Sequence, residues 1–599
     1  MCMLKYFRGN FMSEWILRNR NFEIDDFEKL GVSNKFLKLM INRGFKNFEE
    51  IYDFINSNEK ILNDGSELKG FSEFVKIISY LKDSGKKIRI VGDYDVDGIV
   101  SVYILNKTFK DIGLNVDFVI PHRVKQGYGI NQNIVVQAKN DGVDTLITCD
   151  NGISAVEVVE FAKSQGLKII ITDHHDVQVK SNENGEKSFV IPNADSVINP
   201  KQEDCKYKFK KLCGAGVCFK LCYEIYKKFG FGDEGMKLLE FVAIATICDV
   251  VDLEGENRFI VKYGMDLINK STNVGINALI DVNSLAKGKI FSYEIGFLIG
   301  PCLNALGRLE SAKKGIELLF CDDFEEAKRM ALEIKDLNDK RKDMTLKGFL
   351  ECVGIIEENC YFNDKIILIY NENIHESIAG IIAGRIKEKY FRPAIVLTKG
   401  DGICKGSARS IEGINIFDVL MRSKNLLVAF GGHEMAAGLS IKKEDIPKLR
   451  SEINSIDVDE KIFSNKIYVD LFLPIEDVDY KFVTDLFLLE PFGKLNPKVI
   501  LGDKNLKLCL MKRIGKKQNY ISLKLISKNG KIFDFVYFGD ADEFDKSFSE
   551  KYGENNLKLI YSGKVILNSK FFIDILYEVK IEIYNFNETI KYFLYKYRF

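Results

Sequence analysis

Residues 87–101 read KIRIVGDYDVDGIVS, and this stretch decides the fold. Ile88, Ile90 and Val91 make the short apolar run of a buried strand, and Gly92 closes it. Asp93, Asp95 and Asp97 follow at alternate positions, and Gly98 opens an apolar segment, 99–105, that begins a helix. Three carboxylates at one strand end repel one another. Either they form a solvated acidic turn, or a cation neutralises them in a dry site.

Working outward, short β-rich runs alternate with amphipathic segments. The spacing predicts strands over 88–91, 116–120, 145–149 and 167–171, with helices over 98–112, 131–140 and 155–165. This is the pattern of a parallel sheet with helices on both faces, whose ligands bind beyond the carboxyl ends of the strands. The polar residues gather at those ends. The first strand delivers Asp93, Asp95 and Asp97, the third Asp150-Asn151-Gly152, and the fourth Asp173-His174-His175; a later helix, 235–247, runs into Cys248-Asp249. An EF-hand calcium loop would need Glu at position twelve from Asp93, and Ile104 stands there. Adjacent histidines among several carboxylates suit Mn²⁺ or Mg²⁺, with Zn²⁺ as an alternative. The number of acids is sufficient for two ions about 3.5–4 Å apart, the arrangement of phosphoester hydrolysis.

At 599 residues the chain is too long for one core, so three or four domains are expected. The formal net charge is zero, and any nucleic-acid surface must therefore be a local patch. Thirteen Cys are scattered without a CxxC pair. Cys213, Cys218 and Cys222 fall in an apolar helical stretch that reads as core rather than as a zinc site. No apolar run approaches about 18 residues and no signal peptide is evident, which predicts a cytoplasmic chain without a membrane span. Residues 1–11 precede a second Met, Met12, and read as an upstream start or a short tail.

The motifs DYDVDG (93–98), CDNG (149–152), DHH (173–175) and ATICDVVDL (245–253) resemble the successive motifs of the DHH phosphoesterase superfamily. IPHRVKQGYG (120–129) is similar to the Arg-containing motif of its RecJ branch, the single-strand-specific 5′→3′ exonucleases. The resemblance implies Asp95, Asp97, Asp150, His174 and Asp249 as metal ligands. It places Asp93 and His175 as catalytic or supporting groups beside them, and Arg123 against a substrate phosphate. GPCLNALGRL (300–309) resembles the end of the family's catalytic domain, with Cys302 where Arg is common; Asn304 and Arg308 remain as phosphate contacts or as part of a Gly-rich helix start.

Residues 322–359 read as a long helical connector. Beyond it, strands are expected over 366–369 and 394–397 with a helix over 378–389. NIHESIAGIIAGRI (373–386), KGSARS (405–410) and GGHEMAAG (431–438) resemble the DHH-associated domain, which implies Ser407, Arg409 and His433 as substrate contacts with His375 nearby. LLEPFGKLNP (488–497) is similar to the RecJ segment that enters an OB-fold, with Leu495 where Gly is usual. Asn529-Gly530, between runs 521–526 and 532–538, signals a hairpin, and Asn568-Ser569 separates two further strand-like runs. Residues 504–531 hold nine Lys/Arg and no Asp or Glu, beside Tyr520, Phe533, Phe535 and Tyr537. This is either a basic, aromatic single-strand surface or a solvated face over an alternating core.

The expected fold is α/β: a helical lead-in (1–85), a DHH catalytic domain (86–320), a connecting helix (321–360), a DHH-associated domain (361–457), an OB-fold-like domain (465–585) and a tail (586–599). The resemblance implies a monomeric 5′→3′ exonuclease on single-stranded DNA that releases 5′-mononucleotides with two Mn²⁺ or Mg²⁺ ions. It would work in recombination and repair beside helicases and single-strand-binding protein. The alternatives are a nanoRNase or small-nucleotide phosphatase of the same superfamily, and a non-catalytic single-strand-binding scaffold.

Overall fold

The computed structural model describes residues 13–20, 27–123, 126–181, 187–400, 402–584 and 587–599. It forms two compact units: Glu59–Ser464 with Gly493–Leu495, and the remainder.

The larger unit holds the parallel sheet. β1 (Lys87–Val91), β2 (Asn115–Val119), β3 (Val143–Cys149), β4 (Lys168–Thr172) and β5 (Ser196–Ile198) lie in the order β2-β1-β3-β4-β5, every pairing parallel. The four predicted strands are present, and the three-residue β5 adds an edge too short to show as a periodic run. α1 (Val96–Asp111) follows β1 and is buried on nearly all sides, so it is a core helix without an amphipathic stripe. Asp95 caps it, its Oδ1 accepting from Gly98 N at 3.1 Å. α2 (Gln132–Asn140) and α3 (Val156–Ser164) complete the crossovers. α4 (Gly214–Lys228) packs along α1, and α5 (Leu239–Cys248), buried throughout most of its length, ends at Asp249.

α6 (Gly300–Leu309) leads toward the 35-residue α7 (Phe324–Glu358), whose start Asp323 caps at 2.7 Å to Glu326 N. This is the expected connector. The second lobe combines β6 (Ile367–Tyr370), α8 (Glu376–Tyr390), β7 (Ala394–Thr398), β8 (Cys404–Arg409), β9 (Leu427–His433) and β10 (Ala436–Ile441). Its sheet runs β9-β10-β8-β7-β6, parallel only between β6 and β7.

The smaller unit contains a closed barrel. β11 (Leu501–Ile514) pairs with β12 (Tyr520–Ile526) and with β14 (Phe572–Tyr584); β13 (Ile532–Tyr537) pairs with β12 and with β15 (Asn587–Arg598); β15 pairs with β14. The predicted Asn529-Gly530 turn joins β12 to β13, with Gly530 at φ 84°.

Three readings of the sequence need correction. The lead-in 1–85 is divided: Glu14–Leu17 is a strand paired with Lys466–Val469, and helices Asn34–Arg43 and Phe48–Ile55 share the barrel's core, while residues from Glu59 belong to the larger unit. Helical spacing located their apolar faces but could not say which core each face would join. The supposed tail 586–599 is β15, which closes the barrel through its buried Tyr592 and Leu594. Of the two runs flanking Asn568-Ser569 only the second is a strand; the first follows helix Glu554–Ile560 as irregular chain. Residues 1–11 and Val124-Lys125 of the Arg motif lie outside the described residues.

Candidate active site

Every acid predicted for the site, together with His174 and His175, meets at the carboxyl edge of the parallel sheet. Asp93, Asp97, Asp150 and His174 are buried there, and Asp95, His175 and Asp249 are partly so. His174 Nε2 lies 3.1 Å from Asp150 Oδ1, 3.7 Å from Asp97 Oδ2 and 3.8 Å from Asp249 Oδ2. The potential ligand atoms form three sets, each with members within 4.8 Å of one another: Asp97, His174 and Asp249; Asp93, Asp95 and Asp150; and Asp150, His174 and His175. Asp93 therefore stands among potential ligands as closely as Asp95 does.

The backbone around the cradle is built for close approach. Asp150 sits at φ 61°, in the left-handed region, and Gly152 follows at φ 111°. Asn151 ties this turn to β1, its Nδ2 donating to Val91 O and Cys149 O while its Oδ1 accepts from Ile130 N. The first turn of α4 donates to Asp97, Gly214 N to Oδ2 at 2.6 Å and Ala215 N to Oδ1 at 2.8 Å. A Cβ at residue 214 would fall 2.7 Å from Asp150 Cβ, so only glycine admits the helix end here.

These acids are held at an electrostatic disadvantage. Burial, and then neighbouring carboxylates, push Asp93 and Asp150 well above the ordinary range. Burial also raises Asp97 and Asp249, their fellow acids adding to it and the His174 and His175 charges opposing. Burial holds His174 down at about 4, which leaves a neutral imidazole suited to ligation. Asp93 Oδ1 and Asp150 Oδ1 are buried without a hydrogen-bond donor, and the 3.1 Å approach of His174 to the latter is not a hydrogen bond. Orphaned carboxylate oxygens facing a neutral imidazole are the donor set of a divalent cation, and the residues fit Mn²⁺ or Mg²⁺.

Asp173 works differently. Its Oδ1 accepts from His174 N at 2.7 Å and His175 N at 3.0 Å and bonds His175 Nδ1 at 2.7 Å; its Oδ2 accepts from Ile153 N at 2.9 Å. Burial opposes its charge, but the bonds to His175 and the two imidazoles outweigh that and hold it at about 2. His175 is likewise disfavoured by burial yet lifted to about 9 by Asp173 and then by Asp249 and Asp97. Asp173 thus holds the backbone of both histidines and orients the His175 ring.

The predicted phosphate contacts form a cationic group in the same unit. Arg123 lies over the Tyr94 ring at 4.8 Å. Arg308 Nη1 donates to Ser377 O at 2.7 Å, linking α6 to the start of α8. Arg409 Nη1 donates to Ser407 Oγ at 3.0 Å, and a Cβ at residue 380 would lie 2.8 Å from both side chains. Burial depresses Arg308 to about 10 and lowers Arg409, with the Arg123 charge the next cause in each case. Mutually repelling, partly buried guanidinium groups have the chemistry that suits an anion.

Two of the predicted contacts sit apart from this group. Asn304 Oδ1 accepts from Val96 N at 3.3 Å, so its oxygen braces the acid loop and does not face a phosphate. His433 is exposed on the edge strand β9, its charge felt by Asp176 beside the DHH motif. Cys302 is buried against Asn283 and Asn338, in the core under α7. Sequence reasoning assigned no role to Tyr128, whose hydroxyl donates to Asp150 O at 2.9 Å and lies 3.4 Å from His175 Nδ1. Its place in the GYG of the Arg motif was the available signal.

The fold and its acid cradle are those of a DHH-type protein: a model of the DHH family, N-terminal domain, matches residues 87–246, the DHHA1 domain 363–456 and the RecJ OB domain 469–595. The single-stranded-DNA-specific exonuclease RecJ of Haemophilus influenzae is 32% identical over 79% of this chain and 84% of its own length. RecJ of Bacillus subtilis is 34% identical over 86% of this chain, which spans 64% of that relative's length. A crystal structure of RecJ with Mn²⁺ from Thermus thermophilus shares the fold, with a TM-score of 0.77 at 22% identity over 98% of this chain and 79% of its own. The chain belongs to the RecJ family.

Proposed function

We propose that this chain is a metal-dependent 5′→3′ exonuclease that hydrolyses single-stranded DNA to 5′-mononucleotides. The observation that carries the reading is a buried cradle of raised carboxylates, two of whose oxygens have no donor, in the same unit as a group of mutually repelling arginines. Asp93, Asp95, Asp97, Asp150, His174 and Asp249 hold two Mn²⁺ or Mg²⁺ ions. Bound there, the ions supply Lewis-acid activation of water and of the phosphoryl oxygens. His175, oriented by Asp173, moves a proton at the attacking or leaving oxygen. Arg123, Ser407, Arg409 and Arg308 hold phosphate so that the scissile bond lies over the acids, and His433 flanks the strand.

The working divisions are a catalytic domain over 86–320, a connector over 321–360, a substrate-gripping domain over 361–457 and a barrel from 465 that takes up β15. On the barrel, Phe535 and Tyr537 are core residues, whereas Tyr520 and the 59% exposed Phe538 form an edge-to-face pair beside Lys516 and Lys517. That pair is the better candidate for stacking with single-stranded bases. Among the described residues no helix is long and apolar enough to cross a membrane. Action in the cytoplasm as a monomer, beside helicases and single-strand-binding protein in repair and recombination, accords with this reading.

The test is digestion of single-stranded DNA labelled at either end, with Mn²⁺, Mg²⁺ or EDTA. Mononucleotides released from the 5′ end only, and only with metal, are expected. Cleavage confined to the shortest oligomers would transfer the chain to the nanoRNase branch, and binding without cleavage would leave a scaffold.

A further inference from the structure

One helical stretch extends past the site. Ser292–Glu294, a π turn at Ile295–Ile299 and α6 follow one another without a break, and π turns recur at functional positions. From 297 to 308 Phe297 is exposed, Leu298, Pro301, Asn304 and Arg308 are partly so, and the other residues up to 307 are buried. Of these, Phe297, Pro301, Asn304 and Arg308 are spaced i, i+4, i+7 and i+11 and form one stripe along the helix, with Leu298 at its side. At one end Arg308 meets Ser377 beside the phosphate-gripping residues, and in the middle Asn304 braces the acid loop through Val96. At the other end Phe297 is 65% exposed and stacks on Tyr293, itself 46% exposed, with centroids 5.0 Å apart and planes at 25°. The π turn abuts the cradle: a Cβ at residue 296 would touch Ile247, and one at 300 would lie 2.1 Å from Cys248 Sγ, next to Asp249.

We infer that the Phe297–Tyr293 pair is a base-stacking subsite for the single strand on the 3′ side of the bond being cut. The occupant follows from the stripe. It begins at groups that suit phosphate, passes the acids and ends about 16 Å away, at 1.5 Å of rise per residue, on two parallel rings. A strand held by its terminal phosphate must continue in some direction, and this face offers its bases a flat aromatic surface that tolerates any sequence. The inference rests on the exonuclease reading and adds a place for nucleotides not yet cleaved.

The experiment compares the full chain with Phe297→Ala, Tyr293→Ala and Phe297→Trp on a dinucleotide and on a long oligonucleotide. Each alanine variant is expected to raise KM about tenfold for the oligonucleotide, with kcat and the dinucleotide kinetics unchanged, while Phe297→Trp keeps wild-type KM. In EDTA, the fluorescence of Phe297→Trp, read against the parent's single Trp15, should be quenched by the oligonucleotide. Equal loss on both substrates, no loss on either, or no quenching would overturn the subsite. A change in self-association alone would make the pair a protein contact and overturn it too. A parent chain that cuts no strand with any metal would instead defeat the exonuclease reading, while the quenching would still report on the subsite.

Discussion

Two buried charged clusters within the larger unit are built on opposite principles. Lys220 and Glu256, each 1% exposed, form an ion pair of 2.6 Å. Tyr207 OH donates to both Glu256 oxygens at 2.7 and 2.9 Å, and Lys220 Nζ also donates to Asn63 O at 2.8 Å. That network is closed, because each charge faces its opposite and the remaining bonds go to neutral groups. The acid cradle contains five carboxylates around a neutral imidazole, and two of its buried oxygens have no donor. A closed network is complete as the chain folds, whereas an open one is completed by a ligand. Burial alone does not distinguish structure from site; the sign balance within the buried cluster does.

The largest effect expected from breaking this contrast is on turnover. Asp150→Asn should lower metal-dependent cleavage about 10³-fold or more, measured as mononucleotide release at saturating Mn²⁺. The same variant should melt higher than the parent in EDTA, since one repelling charge is gone. A lower melting temperature would mean that Asp150 is structural. In the closed network the opposite holds: Lys220→Met leaves Glu256 unpaired in the core and should cost about 3–5 kcal/mol in urea unfolding.

Metal should narrow the difference between the clusters. Mn²⁺ at about a hundred times its Kd should stabilise the parent by about 2.7 kcal/mol in thermal melts and leave Asp150→Asn largely unmoved. The pH response gives a smaller effect with a definite sign. Groups whose folded pKa is raised contribute stability below the unfolded value and lose it as pH rises through the folded one. His175, lifted from 6.5 to about 9, and the raised acids all act in that direction, so the metal-free chain should lose stability from pH 6.5 to 9. His175→Gln should flatten that slope; an unchanged slope would contradict the assignment. Below 6.5 the lowered His174 and Asp173 oppose this trend. The smallest effect belongs to an exposed pair, Lys237 with Glu234, where Lys237→Ala should alter stability by less than about 0.5 kcal/mol.

Much of this architecture is readable before any coordinates. KIRIV closing on Gly92 marks a strand, the acids at 93, 95 and 97 mark its carboxyl end, and DHH marks another; parallel-sheet topology then brings separate strand ends to one edge. Periodicity also locates α7, because 324–358 contains no Pro and only two Gly, at 348 and 354. Asn304 was harder: its side chain turns to Val96, a contact between residues 208 apart in the chain that no local pattern encodes. The same applies to Leu495, which stands at a φ of 64°, in the left-handed region that favours glycine.

Which residues carry charge into the site, and the order in which the lobes follow one another, depend on local spacing and can be read along the chain. Long-range packing is what makes residues 587–598 complete the barrel, brings the helices before residue 58 into its core and sets Tyr128 on the Asp150 carbonyl. Those outcomes depend on which apolar face finds which partner and on closures between distant segments. An exposed strand and a barrel strand have the same period of two, and only pairing tells them apart.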